Sequence, residues 1–240
     1  MQTMKNEKFE RSRSLLGEEV FKRLSSVHVA IFGVGGVGGW CAEALMRTGI
    51  LHLTLIDDDT VAESNINRQR QATPSTVGKR KVKVLQEILQ EITPEADIEA
   101  ISSRYTPETS FEFDDILTNC DFVIDAIDSV DCKAHLIRKC IDGINGRTIP
   151  VLSSMGAALR TDPTKIRVAS FHKITGDGLA KALRNRFRKS GIPIPKHLCV
   201  YSEELPAGIS NETKGSIMPV TCAFGMALAS LVLQAIKEQR

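Results

Sequence analysis

None of the six cysteines, Cys41, Cys120, Cys132, Cys140, Cys199 and Cys222, stands in a C-x-x-C pair. That absence argues against a Cys₄ zinc site and against a disulfide framework, so reduced thiols in a cytoplasmic chain are expected. No G-x-x-x-x-G-K-[ST] segment occurs, which excludes a P-loop nucleotide site. Excess charge is also lacking: the formal net charge is +2, so no global field marks a nucleic-acid binder and any basic surface must be local. Met1 to Glu10 carries both signs of charge and no apolar run of the kind a signal peptide needs. Internal repeats and low-complexity tracts are absent as well. What remains is a 240-residue chain, 42% hydrophobic, of a size for one domain with at most a modest extension.

The organising stretch runs from His28 to Asp59. An apolar β-type run, His28 to Phe32, enters the turn Gly33-Val-Gly35-Gly36-Val-Gly38. A helical pattern follows to Gly49, and a second β run from Leu51 ends in Asp57-Asp58-Asp59. This is the strand–turn–helix–strand context in which a G-x-G-x-x-G pattern carries meaning. Gly33 permits the tight turn, Gly35 and Gly36 let backbone approach a phosphate, and Gly38 lets the helix lie close on the strand. The helix N-terminus offers free N–H groups to an anion, and Asp57 is placed to accept from ribose hydroxyls. The pattern specifies a ribose-bearing nucleotide and leaves its identity to the rest of the chain.

Before this unit, Phe9 to Leu24 reads as one helix with Leu15, Leu16, Val20 and Leu24 on a shared face. Arg11 and Arg13 lie in its first turns, where a solvated flank is the plain reading. After it, Thr60 to Gln71 is polar and aperiodic and follows the ribose-binding strand end, where loops face the ligand crevice. Thr76 to Lys81 opens a helix that runs to Ile92 ahead of Pro94. Arg68 and Lys81 are the cations best placed for phosphates; Lys79, Arg80 and Lys83 suit a solvated cluster. Asp97 to Ile101 reads as a short strand and Thr106 to Asn119 as a loop with a turn of helix. Asp121 to Asp128 is a buried parallel strand interrupted only by Asp125. Asp128 and Ser129 either cap the helix from Val130 to about Cys140, or bring a further carboxylate to the crevice.

Two more strands are expected over Thr148 to Ser154 and Lys165 to Phe171. Asp177 then caps a helix bearing Lys181, Arg184, Arg186, Arg188 and Lys189, five cations in nine residues around Leu179, Leu183 and Phe187. This helix is either a solvated amphipathic element or a polyanion-binding face. Ile217 to Ile236 is apolar enough to raise the question of a membrane span. Its Pro219, Thr221, Gly225, Ser230 and Gln234, with small residues at Ala223, Ala227 and Ala229, favour a core or interface helix, and no membrane association is expected.

Arg68 and Lys81 supply more positive charge than a dinucleotide pyrophosphate needs. A triphosphate with Mg²⁺ fits better: glycine amides at the α-phosphate, Arg68 and Lys81 on the outer phosphates, Asp128 on the metal. A carboxylate substrate admitted to such a site would attack the α-phosphorus, release pyrophosphate and form an acyl adenylate.

Five motifs occur in this order: Gly33-x-Gly-Gly-x-Gly38, Ile56-Asp57-x-Asp59-x-Val61, Ser64-Asn-x-Asn-Arg68-Gln69, Thr76-Val-Gly78-x-x-Lys81 and Asp125-Ala-x-Asp128. The set resembles the adenylating domain of ubiquitin-activating enzymes and of the bacterial enzymes of the ThiF and MoeB type that activate sulfur-carrier proteins. Asp125-Ala-Ile-Asp-Ser, the Gly156-to-Ile166 stretch with Asp162-Pro-Thr, the basic helix, and Val200-Tyr-Ser-Glu-Glu-x-Pro are similar to the tRNA threonylcarbamoyladenosine dehydratases, from about Arg11 to the C-terminal helix.

That resemblance implies a Rossmann-like, doubly wound, mostly parallel α/β sheet with a C-terminal extension packed on it. The implied organisation is an N-terminal helix over 1–25, an ATP-binding adenylating domain over 26–160, and strands, a basic helix and an apolar helix over 161–240 that complete the same domain. It implies ATP and Mg²⁺, with a monovalent cation and a sulfur-relay partner left open. Gly33, Gly35, Gly36, Gly38, Asp57, Asp59, Asn65, Gln69 and Ser129 would bind the nucleotide; Asn65, Arg68 and Lys81 would face the phosphates. Asp128 would serve Mg²⁺, and Arg11 would reach the neighbour's ATP across a homodimer. The reaction implied is ATP-dependent cyclisation of the threonylcarbamoyl group on the adenosine beside the tRNA anticodon. Its carboxylate is adenylated, then an internal nucleophile closes the ring and expels AMP. Ser170, where the family usually has Asp, and Gly178, where it has Pro, lie outside the ATP constellation and bear on RNA engagement. The rival readings are an activator of a ubiquitin-like sulfur-carrier protein, a nicotinamide dehydrogenase, and a non-catalytic nucleotide-binding module. The missing C-x-x-C pairs and the basic helix weigh against the first, and Ser64 to Gln69 with Lys81 against the second.

Overall fold

A computed structural model describes residues 7–207 and 214–238. The N-terminal helical region is two helices: α1 (Glu10–Leu16) and α2 (Glu18–Ser26) meet at Gly17, whose φ of 82° no helix accommodates. The single helix expected over Phe9 to Leu24 is corrected accordingly. The break re-phases its apolar face: Leu24 is fully buried, Leu16 and Val20 pack on the core, and Leu15 is 84% exposed.

Seven strands form one sheet: β1 (His28–Phe32), β2 (His52–Ile56), β3 (Asp97–Ile101), β4 (Phe122–Asp125), β5 (Val151–Ser154), β6 (Ile166–Ser170) and β7 (Leu198–Ser202). Their order is β3-β2-β1-β4-β5-β7-β6, with every neighbouring pair parallel except β6 against β7. The remaining helices are α3 (Gly38–Thr48), α4 (Lys81–Ile92), α5 (Asp114–Asn119), α6 (Val130–Asp142), α7 (Gly178–Lys189) and α8 (Met218–Glu238). The doubly wound architecture with a C-terminal helix on the sheet is therefore present.

Alternation along β1 divides the core in two, because successive strand side chains leave opposite faces. Val29 and Ile31 join α2, α3, α4 and α8 in one cluster, whereas Ala30 and Phe32 join α5, α6 and α7 in the other. The α8 helix is long and apolar enough to cross a membrane, yet Val220, Phe224, Leu228, Val232 and Ile236 are fully buried in the first cluster. Gly225 allows it to approach α3 closely: a Cβ there would lie 2.6 Å from the Val37 carbonyl oxygen.

Several boundaries differ from the sequence reading. The α4 helix starts at Lys81, because Thr73 to Arg80 is spent in turns, with Gly78 at φ 86°. The α6 helix continues to Asp142, and Gly143 stops it at φ 83°. Thr148 to Pro150 precede the strand, with Ile149 bonded back to Cys140 of α6, so β5 begins at Val151. The Thr106–Asn119 segment holds a 3-10 turn, Ser110–Phe113, followed by α5, more helix than expected.

Candidate nucleotide-binding cleft

The strand order reverses beside β1, which has β2 on one side and β4 on the other. Connections leave the carboxyl ends of such strands in opposite directions and open a crevice between them. A cleft of about 280 Å³ lies there, bounded by Gly33, Gly35, Asp57 to Asp59, Ser103 to Tyr105, and Ala126 to Ser129, with Phe32, Ile56 and Cys132 on its apolar side.

Two glycines fix the turn at its base. Gly33 has φ 88°, and a Cβ there would lie 2.7 Å from the Ala126 carbonyl oxygen. A Cβ on Gly38 would lie 1.9 Å from the Gly33 carbonyl oxygen, so no other residue lets α3 start so close to β1. The Gly33 amide donates to the Ile56 carbonyl, 2.8 Å, and the Val34 amide donates to Asp57 Oδ2, 2.8 Å. The next three amides, of Gly35, Gly36 and Val37, have no protein acceptor among the described residues. They precede the first turn of α3, where the helix dipole adds positive potential, so the turn is built to receive an anion.

The opposite rim is acidic. Asp57 accepts from Val34 with one oxygen and from the Asp59 amide, 2.9 Å, with the other. Burial raises its carboxyl above the ordinary range, while these two amides and Lys81 oppose the rise. Carboxylate oxygens of Asp57, Asp58 and Asp59 lie within 4.8 Å of one another. Such a hard, all-oxygen donor set fits Mg²⁺. Asp128 is exposed at the cleft, and its side chain has no hydrogen-bond partner among the described residues. Ser129 occupies the N-cap position of α6 without a side-chain cap, so Asp128 does not serve as the helix cap.

Several of the expected nucleotide-binding residues stand beside the cleft instead of lining it. A Cβ on Gly36 would meet Thr221 of α8 at 3.3 Å and the Arg68 stem at 3.4 Å, so Arg68 flanks the glycine turn. The segment is held there by Trp40 Nε1 donating to the Arg68 carbonyl, 3.0 Å, and by Gln71 Nε2 donating to the Val34 carbonyl, 2.6 Å. The Arg68 guanidinium donates from Nη1 to the Ser64 carbonyl, 2.8 Å, and to Asn67 Oδ1, 2.9 Å. Asn65 is buried and accepts from the Ala62 amide, which makes it a turn-former in this structure. Gln69 is buried, 3.7 Å from where a Gly35 Cβ would stand. Lys81 is buried and pairs with Asp59 at 2.6 Å, one residue removed from the cleft. Arg11 is exposed on α1 and belongs to no cleft wall of its own subunit.

The basic helix α7 lines no part of the cleft. Asp177 caps it by accepting from the Ala180 amide, 2.8 Å, and is itself buried against Arg160, 2.9 Å. Leu183 and Phe187 anchor it. Arg184 is tied down: Nη1 donates to the Ile174 carbonyl, 2.8 Å, and the guanidinium stands 5.8 Å from the Phe171 ring centre. Arg186 pairs with Asp131, 2.5 Å, a compensation invisible along the helix itself. Lys181, Arg188 and Lys189 are exposed and form no ion pair among the described residues.

The sequence reading passed over Asp58, Ser103, Arg104, Tyr105, Ile127 and Cys132, all of which line the cleft. Tyr105 is fixed by an aromatic group, 5.2 Å from Phe32 and 5.4 Å from Phe113 between ring centres. Its hydroxyl lies 2.9 Å from His135 Nδ1, and burial lowers that imidazole's basicity and raises the phenol's pKa, so both groups stay neutral. The signal available was its place just after β3, at the same sheet edge as Asp57.

A model of the ThiF family matches residues 9–239. The chain belongs to the ThiF family. Among relatives of this ThiF-family chain, the tRNA threonylcarbamoyladenosine dehydratase of Bacillus subtilis (strain 168) is 37% identical over 237 residues, covering 94% of this chain and 91% of the relative. The structure of the Escherichia coli tRNA N6-threonylcarbamoyladenosine dehydratase in complex with ATP superposes with a TM-score of 0.89 at 35% identity, covering 96% of this chain and 93% of that one. That enzyme has also been solved in complex with AMP. Molybdopterin-synthase adenylyltransferase of Haemophilus influenzae is 32% identical over 141 residues, 59% of this chain and 54% of the relative.

Proposed function

We propose that this chain is an ATP-dependent tRNA threonylcarbamoyladenosine dehydratase. The observation that carries the reading is the cleft itself: the glycine turn at the start of α3, whose Gly35, Gly36 and Val37 amides have no acceptor among the described residues, stands at the same cleft as the carboxylates of Asp57 to Asp59 and Asp128. They stand in a chain that matches, over nearly its whole length, an enzyme solved with ATP and with AMP. The threonyl carboxylate on the modified adenosine attacks the α-phosphorus of ATP, and pyrophosphate departs. The mixed anhydride is then opened from within the same substrate, which closes the ring and releases AMP. The oxygen lost from the substrate leaves on AMP, so the modification is dehydrated overall.

In this reading the amides of Gly35 and Gly36 hold the α-phosphate, and their fixed dipoles stabilise the charge that builds there. Asp57, with both oxygens already oriented by backbone amides, takes the ribose. Asp128, together with the Asp59 side of the acidic rim, would hold Mg²⁺, which supplies charge neutralisation for the departing pyrophosphate. Arg68 has guanidinium N–H groups left over after Ser64 and Asn67, and its stem already flanks the glycine turn. Lys81 acts through Asp59 or by exchanging that partner for phosphate. Lys181, Arg188 and Lys189 supply a local basic face for tRNA, and the enzyme works in the cytoplasm as a homodimer in which Arg11 serves the neighbouring cleft.

The decisive experiment is pyrophosphate release from ATP with and without tRNA bearing threonylcarbamoyladenosine. Release that depends on this tRNA is expected. Release stimulated only by the flexible C-terminus of a sulfur-carrier protein would replace the reading with activation of that carrier. For the dimer, mixing Arg11→Ala with Lys81→Ala subunits should restore activity in mixed dimers, where one site carries neither lesion. Absence of complementation after proven subunit exchange would confine Arg11 to its own chain.

A further inference from the structure

Lys133 is fully buried, as are Asp125 and Ser153. A lysine is almost never found without solvent unless its charge is paired, and a buried pair rarely adds stability over an apolar replacement. The use of this one is legible in where its three N–H donors go. Lys133 Nζ lies 2.9 Å from Asp125 Oδ2, 3.2 Å from the Asp125 carbonyl and 3.0 Å from the Ile127 carbonyl. All three acceptors belong to the last residue of β4 or to the short connection that follows it. Asp125 closes the circuit, since its Oδ1 accepts from the Ile127 amide, 3.2 Å, while Ser153 Oγ donates to its Oδ2, 2.7 Å. Behind Ser153, His197 Nε2 lies 3.0 Å from the hydroxyl. Burial and the Lys133 charge press that imidazole's pKa down to about 3, so it stays neutral beside the serine. On the other side, the Ala126 amide donates to the Phe32 carbonyl, 2.9 Å, and the Ala126 carbonyl packs on Gly33. The loop carrying Asp128 and Ser129 into the cleft is thus gripped from within, by a side chain that lines no part of the cleft.

We propose that Lys133 is a positioning residue for the nucleotide reaction: with Asp125 it holds the Ala126–Ser129 loop in its ATP-binding shape before ATP arrives. The inference rests on the nucleotide reading above and adds to it a residue that touches neither ATP nor tRNA. Partners that orient first-contact groups in metal sites typically cost about 10–100-fold in affinity or activity when lost.

The test uses the full chain with Lys133→Met/Asp125→Asn, which removes both buried charges together and keeps an acceptor for the Ile127 amide. Calorimetry with ATP and Mg²⁺, well below the melting temperature, should give affinity weakened by about 10–100-fold. Hydrogen exchange at the Ile127 amide should accelerate about tenfold or more, by the same loosening. A pair that only stabilised the fold would lower the melting temperature and leave the affinity of the folded protein unchanged; affinity within about twofold of the parent overturns the proposal. The parent protein gives a second reading should the variant not fold. Its Ile127 amide should exchange nearly as slowly without ATP as those of β4, and unprotected exchange there also overturns the proposal. Absence of ATP binding in the parent would overturn the nucleotide reading instead, while Ile127 protection would still report whether Lys133 grips the loop.

Discussion

The rim of the cleft and the outer face of α7 are both crowded with charge of one sign, and they are built in opposite ways. At the rim, Asp57 has each oxygen engaged by a backbone amide, and Asp59 is paired with a buried lysine. On α7, Arg184 and Arg186 are absorbed by Ile174 and Asp131, and Lys181, Arg188 and Lys189 extend into solvent. Held charges are oriented in advance and act on one position of a ligand, which is what stabilising a transition state requires. Solvated charges act through a screened field that fades over roughly 8–10 Å, which suits a long polyanion in several registers. One region is therefore suited to chemistry and the other to capture.

That contrast can be broken most sharply at Arg68. Arg68→Ala should slow pyrophosphate release by about 10²–10³, the usual cost of one charge-stabilising donor, with tRNA affinity nearly unchanged. Near-parental turnover would place the phosphates away from this guanidinium. A smaller effect is expected on the other side of the comparison. Replacing Lys181, Arg188 and Lys189 with alanine should reduce the salt dependence of tRNA binding by about one unit of slope per lost phosphate contact, and leave ATP affinity alone. An unaltered slope would make α7 a solvated face. The smallest effect sharpens the comparison within α7 itself. Arg184→Ala should cost about 1–2 kcal/mol of stability, from one carbonyl hydrogen bond and a ring contact, and leave the salt slope as it was. A slope change from Arg184→Ala would mean that this side chain leaves Ile174 to meet RNA.

The cleft was legible in the sequence where its geometry is local. Gly33 to Gly38 and Asp57 form one continuous strand–turn–helix–strand unit, so spacing alone brought the glycine turn and the Asp57 carboxylate to one cleft. The strand Asp97–Ile101 and the Asp177 cap were equally plain, being set by alternation and by one side chain at a helix start. What escaped the sequence depends on the sheet being assembled. Ser103 to Tyr105 reach the cleft only because β3 pairs with β2 and ends beside Asp57. The Arg186–Asp131 pair needs α6 and α7 side by side. Asp125 was visible as a lone carboxylate in an apolar strand, and Lys133 stands only eight residues on; neither fact tells which donors the burial would bring together. The break at Gly17 was missed because the apolar period continues across it, while backbone conformation does not.

The close approach of α8 to α3 bears on how the molecule comes to be made. The glycine turn and α3 leave the ribosome early, yet a wall of that turn is Thr221 and the groove over Val37 is filled at Gly225, near the other end of the chain. Contacts of such sequence separation form late, since the loop they close must first be ordered. Until then one apolar face of α3 is uncovered, and the nascent chain has its signature motif in place without a finished nucleotide site. Only once α8 has been made can the partly wound sheet gain the Thr221 wall and the Gly225 contact beside its glycine turn.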